Sequence, residues 1–172
     1  PVPDSDARQR LAERAVEALW RGDSASRQLG MAIEGCGPGR ANVTMRIRSD
    51  MVNGHGICHG GLIFALADSA FAFACNSYGD NTVAAGAAIE FLLPAREGDE
   101  LRAVASERWR RGRSGIYEIE VWNQKGEAVA SEIGGMFVPV DVTSTTQIQQ
   151  AVDQALELGP LRALVNSAGI GW

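Results

Sequence analysis

The chain has 172 residues, 45% of them hydrophobic, which is enough for one compact domain with a sizeable core. Its formal net charge of -5 at pH 7 lacks the basic footprint of a nucleic-acid binder. Three cysteines (Cys36, Cys58 and Cys75) are an odd number at spacings that match no zinc pattern, so they read as reduced thiols of a cytoplasmic protein without a metal site.

Residues 5–20 read as an amphipathic helix. Leu11, Ala15, Val16 and Leu19 fall on one face, Arg10, Glu13, Arg14 and Glu17 face away, and Gly22 is the stop. Its charged start is unlike a secretory leader. A strand is expected over 29–33, then a turn carried by Gly35, Gly37, Pro38 and Gly39. Residues 41–48 alternate cleanly, with Ala41, Val43, Met45 and Ile47 on one side, and read as a half-buried strand. A glycine-rich loop over 53–61 leads into a helix over about 61–76. An antiparallel meander follows: strands at 82–93, ended by Pro94; at 101–109; at 116–122, with Tyr117, Ile119 and Val121 on one face; and at 127–138, after a Lys125-Gly126 turn.

The helix over 61–76 is apolar nearly all round, which predicts burial on all sides. Its apolar run, 62–67, stops at Asp68 and falls well short of the ~20 residues a membrane span needs. The expectation is an α+β hotdog arrangement, one antiparallel sheet wrapped around a long central helix. Asp68 is the one charge in that helix. An unpartnered buried carboxylate is costly. It reads either as a structural hydrogen-bonding group or as a general base or nucleophile with a tuned pKa. Gly60-Gly61 opens the helix, where free backbone N–H groups and the positive dipole end suit an oxyanion hole; a tight turn alone is the plainer reading. Eight residues of helix separate Gly60 from Asp68 by roughly 12 Å. One helix does not easily bring both to one carbonyl, so if both act, the site sits at a two-fold interface with helices side by side and antiparallel.

The stretch from Asn53 through His59-Gly60-Gly61 to Asp68 and on to Ala74-Cys75-Asn76-Ser77 resembles the phenylacetate-degradation (PaaI) type of hotdog thioesterase. The similarity continues in residues 88–94 and 114–121. The resemblance implies hydrolysis of acyl-CoA thioesters, with aryl- and hydroxyarylacetyl-CoA as substrates and no metal or redox cofactor. It implies Asp68 as the catalytic carboxylate, Gly60 as the oxyanion donor through its backbone N–H, and Asn53 and His59 as residues that position thioester or nucleophile. It also implies dimers that pair into tetramers. Some relatives place a Ser or Thr on the strand after the helix to hold the attacking water. Here Thr82 is near, but Ala84 and Ala85 occupy the corresponding places.

Other readings stand beside this one. A non-catalytic acyl-CoA-binding hotdog protein would keep the pocket, and a hotdog enoyl-CoA hydratase or dehydratase would use His59. His55 reads as a loop residue, and a Cys58–His59 nucleophile pair is disfavoured because sequence neighbours seldom face each other. The arginines at 108, 110, 111 and 113 read as a solvated loop or as a contact for a phosphate-bearing ligand such as coenzyme A. An aromatic acyl group or a plain core accounts equally well for Phe64, Phe71 and Trp109. The hotdog domain is expected over 1–140. The tail, 141–172, resembles an incomplete short-chain dehydrogenase segment, with a helix over 145–158 and a strand over 161–166 ending in Val165-Asn166-Ser167-Ala168-Gly169. Neither a phosphate loop before it nor Tyr-x-x-x-Lys after it is present, so no dehydrogenase activity is expected.

Overall fold

The structure, a computed structural model, describes residues 4–111 and 114–139, the side chains of 133–139 excepted. The first element, helix α1 (Ser5–Gly22), is seated by its small residues. Ala12 and Val16 are buried, whereas Leu11 and Leu19, placed by their spacing on the apolar face, stay exposed. Trp20 completes the seated stripe by meeting Phe73 edge-on, ring centroids 5.9 Å apart. A short helix not anticipated from the sequence, α2 (Ser24–Gln28), follows at once; the Asp23 carboxylate accepts from the Ser26 amide at its start.

Strand β1 (Met31–Gly37) begins two residues later than expected and runs through the glycines read as a turn. A register shift between Ile33 and Gly35 absorbs them, and the turn contracts to Pro38 and Gly39. In β2 (Arg40–Arg46) the alternation holds, with Ala41, Val43 and Met45 buried. The expected single strand over 82–93 is two, β3 (Thr82–Gly86) and β4 (Ile89–Phe91). Both pair with β7 (Ala128–Pro139), β3 along its end, with a register shift between Ala84 and Gly86, and β4 along its start. With β5 (Glu100–Arg111) and β6 (Ser114–Trp122), the sheet runs β1-β2-β5-β6-β7-β3 with antiparallel neighbours throughout.

Helix α3 (Gly60–Asn76) lies against this sheet, in the expected place. Ala67, Ala70 and Ala74 are fully buried and allow close approach, while Phe71 packs on Tyr117 of β6 with centroids 5.2 Å apart. Burial is not all round, however. Leu62, Phe64, Ala65, Asp68, Ser69 and Ala72 form a half-buried stripe at helical spacing, because the sheet of a single chain covers the opposite side. No described helix is long and apolar enough to cross a membrane. The expected domain boundary near 140 and both elements of the tail lie outside the described residues.

Candidate active site

The chain reaches α3 through a loop that is closed by its own bonds. A 3-10 turn (Ser49–Met51) ends with the Met51 carbonyl accepting from the His59 amide at 2.9 Å, and Val52 bridges to Cys58. Asn53 is the hub. Its amide donates to the Ile57 carbonyl (2.8 Å), its carbonyl accepts from the Gly56 amide (3.0 Å), and its side-chain Oδ1 accepts from the His55 amide (2.9 Å). Gly56 takes the left-handed φ of 73° that this turn requires.

His59 is the N-cap of α3. Its Nδ1 accepts from the Gly61 amide at 3.0 Å, which satisfies one donor of the first turn and fixes the ring. Gly60, the first helical residue, has no intrahelical acceptor for its N–H, which stands at the positive end of the helix. The Phe91 ring of β4 lies against it; a Cβ added at Gly60 would meet that ring at 3.0 Å. The missing side chain at Gly60 thus makes room for the Phe91 ring, which packs directly on the start of the helix.

Asp68 lies two helical turns on, in the half-buried stripe. Burial pushes its carboxyl above the ordinary 3.8. Among the described residues no hydrogen bond or ion pair holds it. The purely structural reading, a carboxylate pinned by backbone or an arginine, thus finds no partner here. Phe64, one turn earlier, shares its stripe. Phe71, by contrast, is core against Tyr117, and Trp109 is exposed.

Asn53, His59 and Gly60 are therefore brought together at the start of the helix, and Asp68 is not brought to them within one chain. Cys58 is buried, its thiol pushed up to about 11 by that burial, and its Sγ faces the His59 carbonyl rather than the ring. It is no activated nucleophile. Thr82 spends its hydroxyl on Cys75 Sγ and its amide on Asn76 Oδ1, so it ties β3 to the end of α3. Of the arginine cluster, Arg108 pairs with Glu118, and Arg110 pairs with Asp80 and stacks 4.0 Å over the Tyr78 ring.

One residue was missed by sequence reasoning. Glu132 of β7 is completely buried, and among the described residues neither carboxylate oxygen has a hydrogen-bond partner. It stands opposite Ile119 of β6 on one side and Ile89 of β4 on the other. Residues directly opposite share a face, so Glu132 joins the row of Ile119 and Val121 beneath α3. Burial first, and the charge of Asp68 second, push its carboxyl from 4.5 to about 7.

An antiparallel sheet packed on one long helix, entered through His59-Gly60-Gly61 and carrying a single acid on its accessible stripe, is the architecture of hotdog enzymes. Residues 55–130 match the thioesterase superfamily. Over 115 residues the chain is 44% identical to the acyl-coenzyme A thioesterase PaaI of Escherichia coli K12, an alignment spanning 67% of this chain and 82% of that protein. The solved structure of the E. coli PaaI protein from the phenylacetic acid degradation operon superposes with a TM-score of 0.75 at 39% identity, over 77% of this chain and 96% of its own. Streptococcus mutans smu.793, solved bound to acetyl CoA, superposes at 0.60 with 26% identity, over 63% and 87% respectively. The chain belongs to the thioesterase superfamily.

Proposed function

We propose that this protein hydrolyses acyl-CoA thioesters to a free acid and coenzyme A, with phenylacetyl or hydroxyphenylacetyl as the acyl group, and without metal or redox cofactor. The observation that carries the reading is Asp68, an accessible, unpartnered carboxylate on a helix that begins in His59-Gly60-Gly61. Asp68 accepts a proton from a water whose oxygen attacks the thioester carbon. Negative charge gathers on the carbonyl oxygen, where a Gly60 N–H stabilises it. The C–S bond then breaks, and the proton passes from Asp68 to the departing thiolate. Asn53 and His59 shape the turn that aims Gly60. Phe64, beside Asp68 on the stripe, is placed to meet an aromatic acyl group.

The separation of Gly60 from Asp68 supports a site built by two chains. So does the half-buried stripe of α3. Phe91, beside Gly60, and the Leu92 and Leu93 that follow it are also exposed, a run of apolar surface that a second copy would cover. In this arrangement Asp68 of one protomer acts with Gly60 of the partner subunit, and dimers pair into tetramers.

The test is thiol release from phenylacetyl-CoA by the wild type beside Asp68→Ala and Asp68→Asn. A loss of about a hundredfold or more in both variants is expected. Release unaffected by either change refutes the role of Asp68. Binding of acyl-CoA with no release, from this and a panel of other thioesters, would favour a non-catalytic binding protein. Hydration of crotonyl-CoA instead would favour a hydratase.

A further inference from the structure

Helix α1 carries an apolar stripe that none of the described residues covers. Leu11 and Leu19 are each 38% exposed, and Ala15 and Ala18 lie between them, so that the four follow the spacing i, i+4, i+7, i+8 of one helix face. With the segment that leaves the end of α3, they line a groove of about 490 Å³. Gly79 of that segment stands at the Leu11 end, where a Cβ added to it would meet Leu11 Cδ1 at 3.4 Å. Arg14 lines the same groove, and neither it nor Arg10, one turn earlier, makes an ion pair among the described residues. The groove adjoins Asn76, the last residue of α3, and so lies at the opposite end of that helix from Gly60.

The sheet register says which piece of chain arrives there. β3 closes one end of the sheet and pairs antiparallel with β7, Thr82 opposite Pro139. Antiparallel strands run in opposite directions, so the course of β7 past Pro139 points back along the path from Thr82 to Gly79, toward the Leu11 end of the groove. We propose that this groove is the dock of the chain's own C-terminal segment, with the helix expected over 145–158 lying along α1. That segment is outside the described residues, and its sequence carries the match. Ile148, Val152, Ala155 and Leu156 repeat the spacing of Leu11, Ala15, Ala18 and Leu19, and each stripe is about 12 Å long. The five residues 140–144 reach up to about 17 Å, against at most about 10 Å for the three steps from Thr82 back to Gly79. Arriving at Leu11, the helix runs parallel to α1, with Ile148 near Leu11 and Leu156 near Leu19. The charges agree with that direction. Arg10 and Arg14 precede Leu11 and Ala15, whereas Asp153 and Glu157 follow Val152 and Leu156. In two parallel helices packed face to face, a row just before one stripe and a row just after the other fall on the same side, so the basic row meets the acidic one. Docking removes both apolar stripes from water.

The experiment is amide hydrogen exchange of the full chain, wild type beside the double variant Leu11→Ser with Leu19→Ser, read together with photocrosslinking from a benzophenone side chain placed at the exposed Ala18 position. Amides of 145–158 should be protected in the wild type and lose that protection at least about tenfold in the double variant. Amides of β5 over 101–105 should exchange alike in both, which shows that the sheet is intact. The crosslink should join position 18 to a peptide from 145–158 and run at the size of one chain on a denaturing gel. Tail amides that exchange as freely as an unfolded peptide overturn the proposal, and so does protection indifferent to the change at Leu11 and Leu19. A crosslinked product of two-chain size assigns the groove to a second copy and overturns it as well, as does a crosslink that avoids 145–158. Should the double variant fail to fold, the crosslink alone decides. No arm needs turnover, so the outcome is independent of whether the protein cleaves a thioester.

Discussion

Replacing Glu132 by Gln should stabilise the protein, and by an amount that grows with pH. Below pH 4.5 Glu132 is protonated whether the chain is folded or not, so the wild type suffers no ionic penalty. Between 4.5 and about 7 the unfolded chain gives up this proton and the folded chain retains it. The folded state then binds more protons than the unfolded one, and stability falls as pH rises. Above about 7 both states are ionised and the loss is complete. At about 1.36 kcal/mol per pH unit, the interval from 4.5 to about 7 corresponds to about 3 kcal/mol. That is a large share of the ~5–15 kcal/mol typical of a domain. Gln has no such ionisation, so the stability gap between variant and wild type should widen by about 3 kcal/mol from pH 4.5 to pH 8. Urea unfolding of both proteins at the two pH values, at one protein concentration, measures it. Glu132→Leu should show the same pH dependence from a different starting offset. A gap of equal size at both pH values would refute the reasoning, because the buried carboxyl would then impose no ionic cost.

Asp68→Asn should also stabilise the fold at neutral pH, since burial raises the Asp68 carboxyl above 3.8; the gap should open as pH rises past that value, and the same unfolding experiment reads it against the expected loss of activity. Gly39→Ala should destabilise by at least about 1–2 kcal/mol, the usual cost of a left-handed backbone for an L-residue. Gly39 has φ +70°, its new Cβ would lie 2.8 Å from Tyr78 Oη and 2.9 Å from Glu107 Cβ, and a drop in urea midpoint checks it. A thiol-reactive dye on the native protein should modify half-buried Cys36 well before buried Cys58 and Cys75, both held at about 11. All three should react in denaturant, and prompt labelling of Cys58 in the native state would contradict its burial.

Where side-chain periodicity governs, the sequence was sufficient. The alternation from Ala41 to Met45 and the apolar text of α3 placed both elements almost to the residue. It failed where backbone irregularity intervenes. The glycines at 35 and 37 are common in turns, yet here a bulge admits them to β1, which pairing with β2 stabilises. Of the face read for α1, Val16 is buried as expected, but Leu11 and Leu19 stay exposed and Ala12 takes a buried place beside Val16, because side-chain bulk as well as apolarity decides how closely a helix can sit. The His59-Gly60-Gly61 turn and Asp68 were legible because glycines and a lone acid interrupt otherwise uniform text. Glu132 was not. Plain alternation sets it in a row with Ala128 and Ala130, but an extra residue, Val129, sits between the partners of Trp122 and Val121. Only the register across that bulge shows that Glu132 lies opposite Ile119, under the helix.

The loop before α3 has a consequence of another kind. Three of its hydrogen bonds converge on Asn53, and none of the three reaches outside residues 53–57. Its exits, at Val52 and Cys58, are bridged to each other. Such a segment is a cassette. It carries its own shape, and it meets the rest of the protein through two adjacent attachment points. Its exposed tip at Gly54 and His55 can be lengthened or exchanged while the junction that aims His59 stays put, so variation there can reshape the approach to the helix without disturbing the fold beneath it.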